Sequence, residues 1–294
     1  MNSFEYDPKS TDYTATRHIP DEVSAGVAST ILDECPGAIL DLGCGNGRFL
    51  SRFELSGRAI GLDLSTAMIR EYRGKNRSGC PVPTVRGDVA QLPFITDSFG
   101  AVLVVSVFQL LSSSAFEACL EEIDRVLVIG GRLYYGCTLY EGMDSHLFEY
   151  VRFALPRSLN RSVERSEERI GFDSIPSGIL QRFSLEMTTC VGSWMYTARI
   201  ADVIADVCAR KFSESFDWST DTIEMYRETV SAFVGRSGHR TSDEICVRKV
   251  FNLTRYCGES GGRSAMPGDQ PPCGAADPLE NQWSRRGTSL SFCI

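Results

Sequence analysis

The sequence predicts an α/β protein built on a mostly parallel sheet, and two observations carry that prediction. Short apolar runs of strand length alternate with stretches of helical periodicity, the pattern of successive βαβ units. Two of those runs end in a carboxylate, at Asp41 and Asp63, a third strand leads to Asp88, and a glycine-rich loop follows the first. Parallel strands are covered by helices on both faces, so they read as continuous apolar runs rather than alternating ones. Ala101 to Val105 is such a run.

Residues 1–20 form a polar leader containing Tyr6, Tyr13, Arg17 and Pro20, and Val23, Val27, Ile31 and Leu32 give helical periodicity over 21–32. Ala38 to Asp41 reads as the first strand. The loop Gly43-Cys44-Gly45-Asn46-Gly47 has the spacing G-x-G-x-G, and Arg48 stands where a dinucleotide fingerprint wants its third glycine. A glycine loop that opens a helix lets backbone N–H groups approach a bound nucleoside closely, where a Cβ would collide or forbid the turn. A helix is expected over 47–55.

Arg58 to Asp63 reads as the second strand, its terminal acid placed to accept two hydrogen bonds from ribose hydroxyls. Ser65 suits the N-cap of a helix over 65–73. Leu64 and Met68 offer an apolar wall for a purine, or ordinary core. The third strand, 82–86, leads to Asp88 and Val89, an acid suited to accept from an adenine amino group. A strand over 100–106, a helix over 115–127 and a strand over 132–137 complete the core.

Residues 140–171 read as helical, broken at Pro156. A β stretch over 182–194, helices over 197–211 and 220–234, and an alternating strand over 244–256 follow. Among the aromatic residues there, Phe148, Tyr150, Phe153, Trp194, Tyr196, Trp218 and Tyr226 are candidates for a pocket lining. From Gly258 onward Gly, Pro, Ser and Asp dominate and the apolar periodicity ends, so 258–294 is expected to be a disordered tail.

A net charge of −8 and a pI near 5.1 argue against a nucleic-acid partner held by general electrostatics. Arg157, Arg161, Arg165 and Arg169 recur at helical spacing, but interleaved glutamates make them a solvated face. The 11 cysteines are dispersed without a C-x-x-C pair and there are 3 histidines, so no metal site is expected. Cys119, Cys137 and Cys208 read as small core residues. Neither an apolar segment after Met1 nor a run of membrane-spanning length occurs, which leads to the expectation of a cytoplasmic protein without membrane contact.

Five segments in order carry a resemblance: Asp41-Leu-Gly-Cys-Gly-Asn-Gly47, Gly61-Leu-Asp-Leu-Ser65, Gly87-Asp-Val-Ala-Gln-Leu-Pro-Phe94, Asp97-Ser-Phe-Gly-Ala-Val102 and Arg125-Val-Leu-Val-Ile-Gly-Gly-Arg-Leu133. The chain resembles the class I S-adenosylmethionine-dependent methyltransferases, of the type 11 group that includes quinone-biosynthesis enzymes. The resemblance implies a Rossmann-like sheet with an antiparallel last strand, a core over 35–140 within a domain over 21–257, and helical cap insertions at 140–171 and 197–234. It implies S-adenosyl-L-methionine as cofactor, with Asp41 holding the ammonium group and Gly43, Cys44, Gly45 and Gly47 receiving the methionine part. Asp63, Leu64, Met68, Asp88 and Val89 then surround the nucleoside, and Val105 and Ser106 face the methyl. The segment Tyr13-Thr-Ala-Thr-Arg17-His-Ile-Pro20 resembles the leader of relatives, which makes Arg17 a partner for the cofactor carboxylate and the leader a lid.

Two departures bear on chemistry. The family often has a histidine pair or His-Trp after the fourth strand, and here Phe108-Gln109-Leu110-Leu111 stands in that place. Val128-Ile129-Gly130-Gly131 replaces the usual basic residue and proline of the next turn. No catalytic base carries over. Tyr13, Gln109 and His146 are positional candidates for acceptor contacts. The expected function is methylation of a small-molecule acceptor, with an RNA-modifying methyltransferase and a non-catalytic nucleoside-binding protein as the alternatives.

Overall fold

A computed structural model describes residues 18–75, 81–161, 174–212, 215 and 218–258. The expectations placed on Tyr13, Arg17, Arg165, Arg169 and the segment after Gly258 lie outside the described residues, as do the side chains of Arg157 and Arg161.

Helix α1, Asp21–Glu34, follows Pro20, carries Asp21 and Glu22 in its first turn where the helix dipole favours them, and buries Val23, Val27 and Ile31. Strand β1, Ile39–Leu42, is buried along its whole length. Next come β2, Ala59–Asp63; α2, Thr66–Lys75; β3, Thr84–Arg86; β4, Phe99–Val105; and α3, Ser113–Val126, whose N-cap Ser112 accepts from the Ala115 N–H. Strand β5 runs over Leu127–Glu141. Helices α4, Ser145–Glu149, and α5, Leu155–Arg161, flank a π-helical turn, Tyr150–Ala154. Helix α6, Ser174–Ile179, precedes β6, Phe183–Arg199; then come α7, Ile200–Cys208, α8, Thr220–Arg236, and β7, Glu244–Gly258.

The seven strands lie in the order β3-β2-β1-β4-β5-β7-β6. The pairs β1–β2, β1–β4, β2–β3 and β4–β5 are parallel, and β7 runs antiparallel to both of its neighbours. The strand order reverses between β1 and β4, and open α/β sheets bind ligands at the carboxyl ends of the strands flanking such a reversal. One apolar cluster fills each face of the sheet: Leu40, Val102, Phe116 and Ile123 belong to the first, Ile31, Ile39, Phe53 and Leu103 to the second. Cys119 and Cys137 lie in the first and Cys208 in a third cluster, formed by α4, α5, α7, α8 and the strand ends beneath them.

That third cluster rests on an arm of the sheet. Pairing of β4 with β5 stops at Val105 and Gly136, yet β5 continues to Glu141, paired with β7 alone on the far side. β6 accompanies β7 throughout, from Phe183 opposite Gly258 to Arg199 opposite Glu244. Three strands therefore project beyond the carboxyl end of β4.

Three local expectations are corrected. The helix expected over 47–55 is a 3₁₀ turn at Leu50–Ser56, because the left-handed turn at Gly47 (φ 83°) occupies the residues where an α-helix would start. Strand β5 begins at Leu127, and Val128 to Gly131 form a bulge between its pairings with Phe99 and Ala101. Pro156 does not break the helical run: the preceding turn widens into π geometry, with the Leu155 N–H bonded to the Tyr150 carbonyl.

Candidate active site

The glycine loop leaves β1 and folds back over β2. The N–H groups of Gly43 and Cys44 both donate to the Leu62 carbonyl, at 2.7 and 2.9 Å. A Cβ on Gly43 would lie 2.2 Å from the Val107 side chain, and one on Gly47 would lie 2.0 Å from the Tyr72 ring. Those two glycines are required by the protein's own packing. Gly45 has φ 54° and nothing within 4 Å of its Cβ position, so its backbone borders open space.

Asp41 and Asp63 lie beside this loop, whereas Asp88 is bonded within its own turn, and the three differ in state. Asp41 is 3% exposed; its carboxylate accepts from the Leu50 N–H, while Oδ2 has no hydrogen-bond partner among the described residues. Burial, and secondarily the charge of Asp63, pushes its carboxyl up to about 7. Asp63 accepts from the Gly45 N–H through Oδ2 and from the Ser65 N–H through Oδ1, each at 2.8 Å. Burial also raises Asp63, against the lowering effect of those amides. Asp88 is half-buried and accepts from the Ala90 N–H at 3.0 Å. Met68 and Val89 are buried and Leu64 is half-buried. Burial raises the Cys44 thiol far above its ordinary range, so it is an inert loop packing group.

At the end of β4, Ser106 holds a left-handed conformation (φ 57°), uncommon for a residue with a Cβ and costing about 1 kcal/mol or more. Val105 beside it is half-buried. A cavity opens here. Its floor is Arg48 and Ser106, with His18 and Ile19 from the end of the leader. The arm contributes Thr138 and Tyr140 of β5, Trp194 and Tyr196 of β6, and Lys249 of β7; the helices contribute Phe148, Arg152, Phe153, Val203, Asp206 and Phe212.

The positional candidates for acceptor contacts fall elsewhere. Gln109 is buried in a 3₁₀ turn, Phe108–Leu110, and His146 is exposed on α4; neither lines this cavity. Phe148, Phe153, Trp194 and Tyr196 do line it, whereas Trp218 packs on Tyr226 at 5.3 Å and Tyr150 stacks on Phe233 at 3.8 Å. Lys249 and Arg152, which sequence reasoning passed over, are in the lining. A signal existed for the first: Lys249 sits in phase with Ile245, Val247, Phe251 and Leu253 on the inward face of a strand. No helix among the described residues is long and apolar enough to cross a membrane, and no metal-ligating cluster occurs among them.

A family profile described as a methyltransferase domain matches residues 39–131. The chain is 30% identical over 129 residues to the malonyl-(acyl-carrier protein) O-methyltransferase of Legionella pneumophila, covering 42% of this chain and 45% of that one. It is 36% identical over 130 residues to the demethylmenaquinone methyltransferase of Corynebacterium kroppenstedtii, covering 42% and 54% respectively. The matched region thus spans about half the length of these relatives. Among solved structures, the YcgJ protein of Bacillus subtilis aligns with a TM-score of 0.52 at 19% identity, over 81% of this chain and 99% of that one. The PH0226 protein of Pyrococcus horikoshii aligns at 0.50 and 18%, over 86% and 94%. At those identities the likeness is one of fold. The strand order and the glycine loop agree with the profile match, and residues 39–131 are similar to methyltransferase domains within a sheet of Rossmann-like fold.

Proposed function

We propose that this chain transfers a methyl group from S-adenosylmethionine to a small-molecule acceptor seated between the sheet and the helices above it. The observation that carries the reading is the buried Asp41 oxygen without a hydrogen bond, beside a loop that is open at Gly45. A buried carboxyl with one oxygen unpaired among the described residues suits a cationic ligand, and the donor's ammonium supplies one. The other groups fit the same ligand: Asp63 retains lone pairs for ribose hydroxyls beyond its two amide bonds, and Asp88 suits the adenine amino group. Met68, Leu64 and Val89 provide the apolar wall.

When bound, the donor supplies an electrophilic methyl on a sulfonium. The work left to the protein is alignment and exclusion of water. Ser106, at the end of β4, lines the cavity, and the aromatic side chains around it give an acceptor flat surfaces to pack on. The described end of the leader, His18 and Ile19, reaches that cavity. This supports a lid in which Arg17 meets the donor carboxylate and Tyr13 covers the methyl. The net charge of −8 and a partly open cavity with aromatic walls support a small molecule over RNA as acceptor.

Calorimetry with S-adenosylhomocysteine tests the reading. The wild-type chain is expected to bind it in preference to NAD. Asp63→Ala should lose about 1.5–3 kcal/mol, the range for hydrogen bonds to a charged group. Unchanged affinity in that variant, or preference for NAD, would overturn the assignment.

A further inference from the structure

The cavity wall contains two buried basic side chains, Lys249 and Arg152, and the first carries the argument. Lys249 lies on the central strand of the arm, directly across from Tyr140 on one side and Trp194 on the other, with its side chain on the inward face. It is 8% exposed, and its ammonium sits 3.8 Å from the centroid of the Tyr196 ring. No carboxylate bridges it among the described residues. Arg152, 5% exposed, enters from the π-helical turn with its guanidinium 3.1 Å from the Phe212 ring centroid. Asp206 also lines the cavity, but it is bridged to Lys211 at 2.8 Å. Arg48 and His18 complete a lining in which basic groups outnumber acidic ones.

Ring faces return only part of what it costs to take an ammonium out of water, and two neighbouring cations repel. A methionine at position 249 would serve the packing better. The burden is removed by a ligand that brings negative charge. Resting on the methyltransferase reading, we propose that the acceptor carries a carboxylate or phosphate group that seats against Lys249 and Arg152, with a flat body stacked among Phe148, Trp194 and Tyr196.

The titration of Lys249 agrees with this placement. Burial, reinforced by the charge of Arg152, pulls its ammonium down to about 8. Arg152 from the π turn acts on it by charge, and the rings of Tyr140 from β5 and Tyr196 from β6 face it; Asp206 of α7, Arg48 and His18 line the same cavity. An anion favours the protonated amine, so binding should raise this value and take up a proton, and affinity should fall as the pH rises above about 8.

The test uses the full chain, benzoate and phenyl phosphate as anionic probes, and benzamide as the neutral isostere of benzoate. Calorimetry is run with and without S-adenosylhomocysteine. One of the anions should bind about tenfold or more tightly than benzamide, and which one does so identifies the group. Lys249→Met should abolish that preference, leave S-adenosylhomocysteine affinity unchanged, and melt no lower than wild type. Lys249→Arg should retain the preference. At pH 8.5, buffers of different ionisation enthalpy should report proton uptake on anion binding in wild type and not in Lys249→Met. Equal binding of benzoate and benzamide, an intact preference in Lys249→Met, or no binding of either anion at millimolar concentration would overturn the proposal. Anion binding without S-adenosylhomocysteine binding would instead overturn the methyltransferase reading and leave the anion site standing.

Discussion

Asp41 sits where stability and ligand binding pull in opposite directions. Its folded-state pKa is raised from 3.8 to about 7, so the fold favours the protonated carboxyl. The stabilising contribution is full below the unfolded value and is lost as the pH rises through about 7. Above that, the ligand-free protein carries a buried charge with an unsatisfied oxygen. Asp41→Asn should therefore raise the melting temperature of the ligand-free chain by several degrees at pH 8, with the gap closing toward pH 4. The same variant should bind S-adenosylhomocysteine about tenfold less tightly at pH 8. Melting curves against pH, paired with calorimetry, check both halves; a variant less stable at pH 8 would show that Asp41 is structural. Asp41 and Asp63 were legible in the sequence because each follows an apolar run, a position where a carboxylate has no packing purpose, and Asp88 because it follows a short strand. Lys249 was harder to see. Lys249 follows Arg248, and a charge there looks like an outward-facing residue until the phase of its apolar neighbours is counted.

At the scale of elements, the helical run over 145–161 shows how a proline is accommodated. In the π register that ends at Tyr150 and Leu155, the Val151 carbonyl would next receive the N–H of residue 156, which proline lacks. The Tyr226 hydroxyl on α8 donates to that carbonyl instead, at 2.9 Å. The bond ties α8 to the π turn that carries Arg152. Tyr226→Phe should destabilise the chain by about 1–3 kcal/mol by leaving a buried acceptor without its donor. In a Pro156→Ala background the restored N–H can serve Val151, so the cost of Tyr226→Phe should shrink. Denaturant titrations of the two single variants and the double variant measure that coupling; strictly additive effects would mean that the hydroxyl does not replace the missing amide. Sequence periodicity located these helices well, since their apolar faces repeat regularly. It misread Pro156 as a break because the compensating donor lies on another helix, distant in sequence.

The whole molecule is a sheet with two faces of core and a third apolar cluster on an arm that outruns β4. Strand existence was legible throughout, and so was the antiparallel end of the sheet through the family resemblance. The arm was not, because strand length beyond a neighbour's end is a property of pairing rather than of one segment. Its consequence is mechanical: the helices above the cavity join the core through β5, β6 and β7. Much of α8 is solvent-exposed, with Tyr226, Val230 and Val234 as its buried anchors. Segments with few buried contacts open locally at lower free energy than the core. Amides of α7 and α8 should therefore exchange with solvent faster than those of β1 and β4. S-adenosylhomocysteine alone should slow exchange in the glycine loop. Addition of the preferred aromatic anion should then slow α7, the π turn and the start of β7, because the ligand bridges Arg152 on one side to Lys249 on the other. Exchange mass spectrometry with the two ligands added in turn separates these effects. If the anion protects the glycine loop but leaves α7 and the π turn unchanged, the acceptor seats outside the cavity and the helices above it do not close on the methyl transfer.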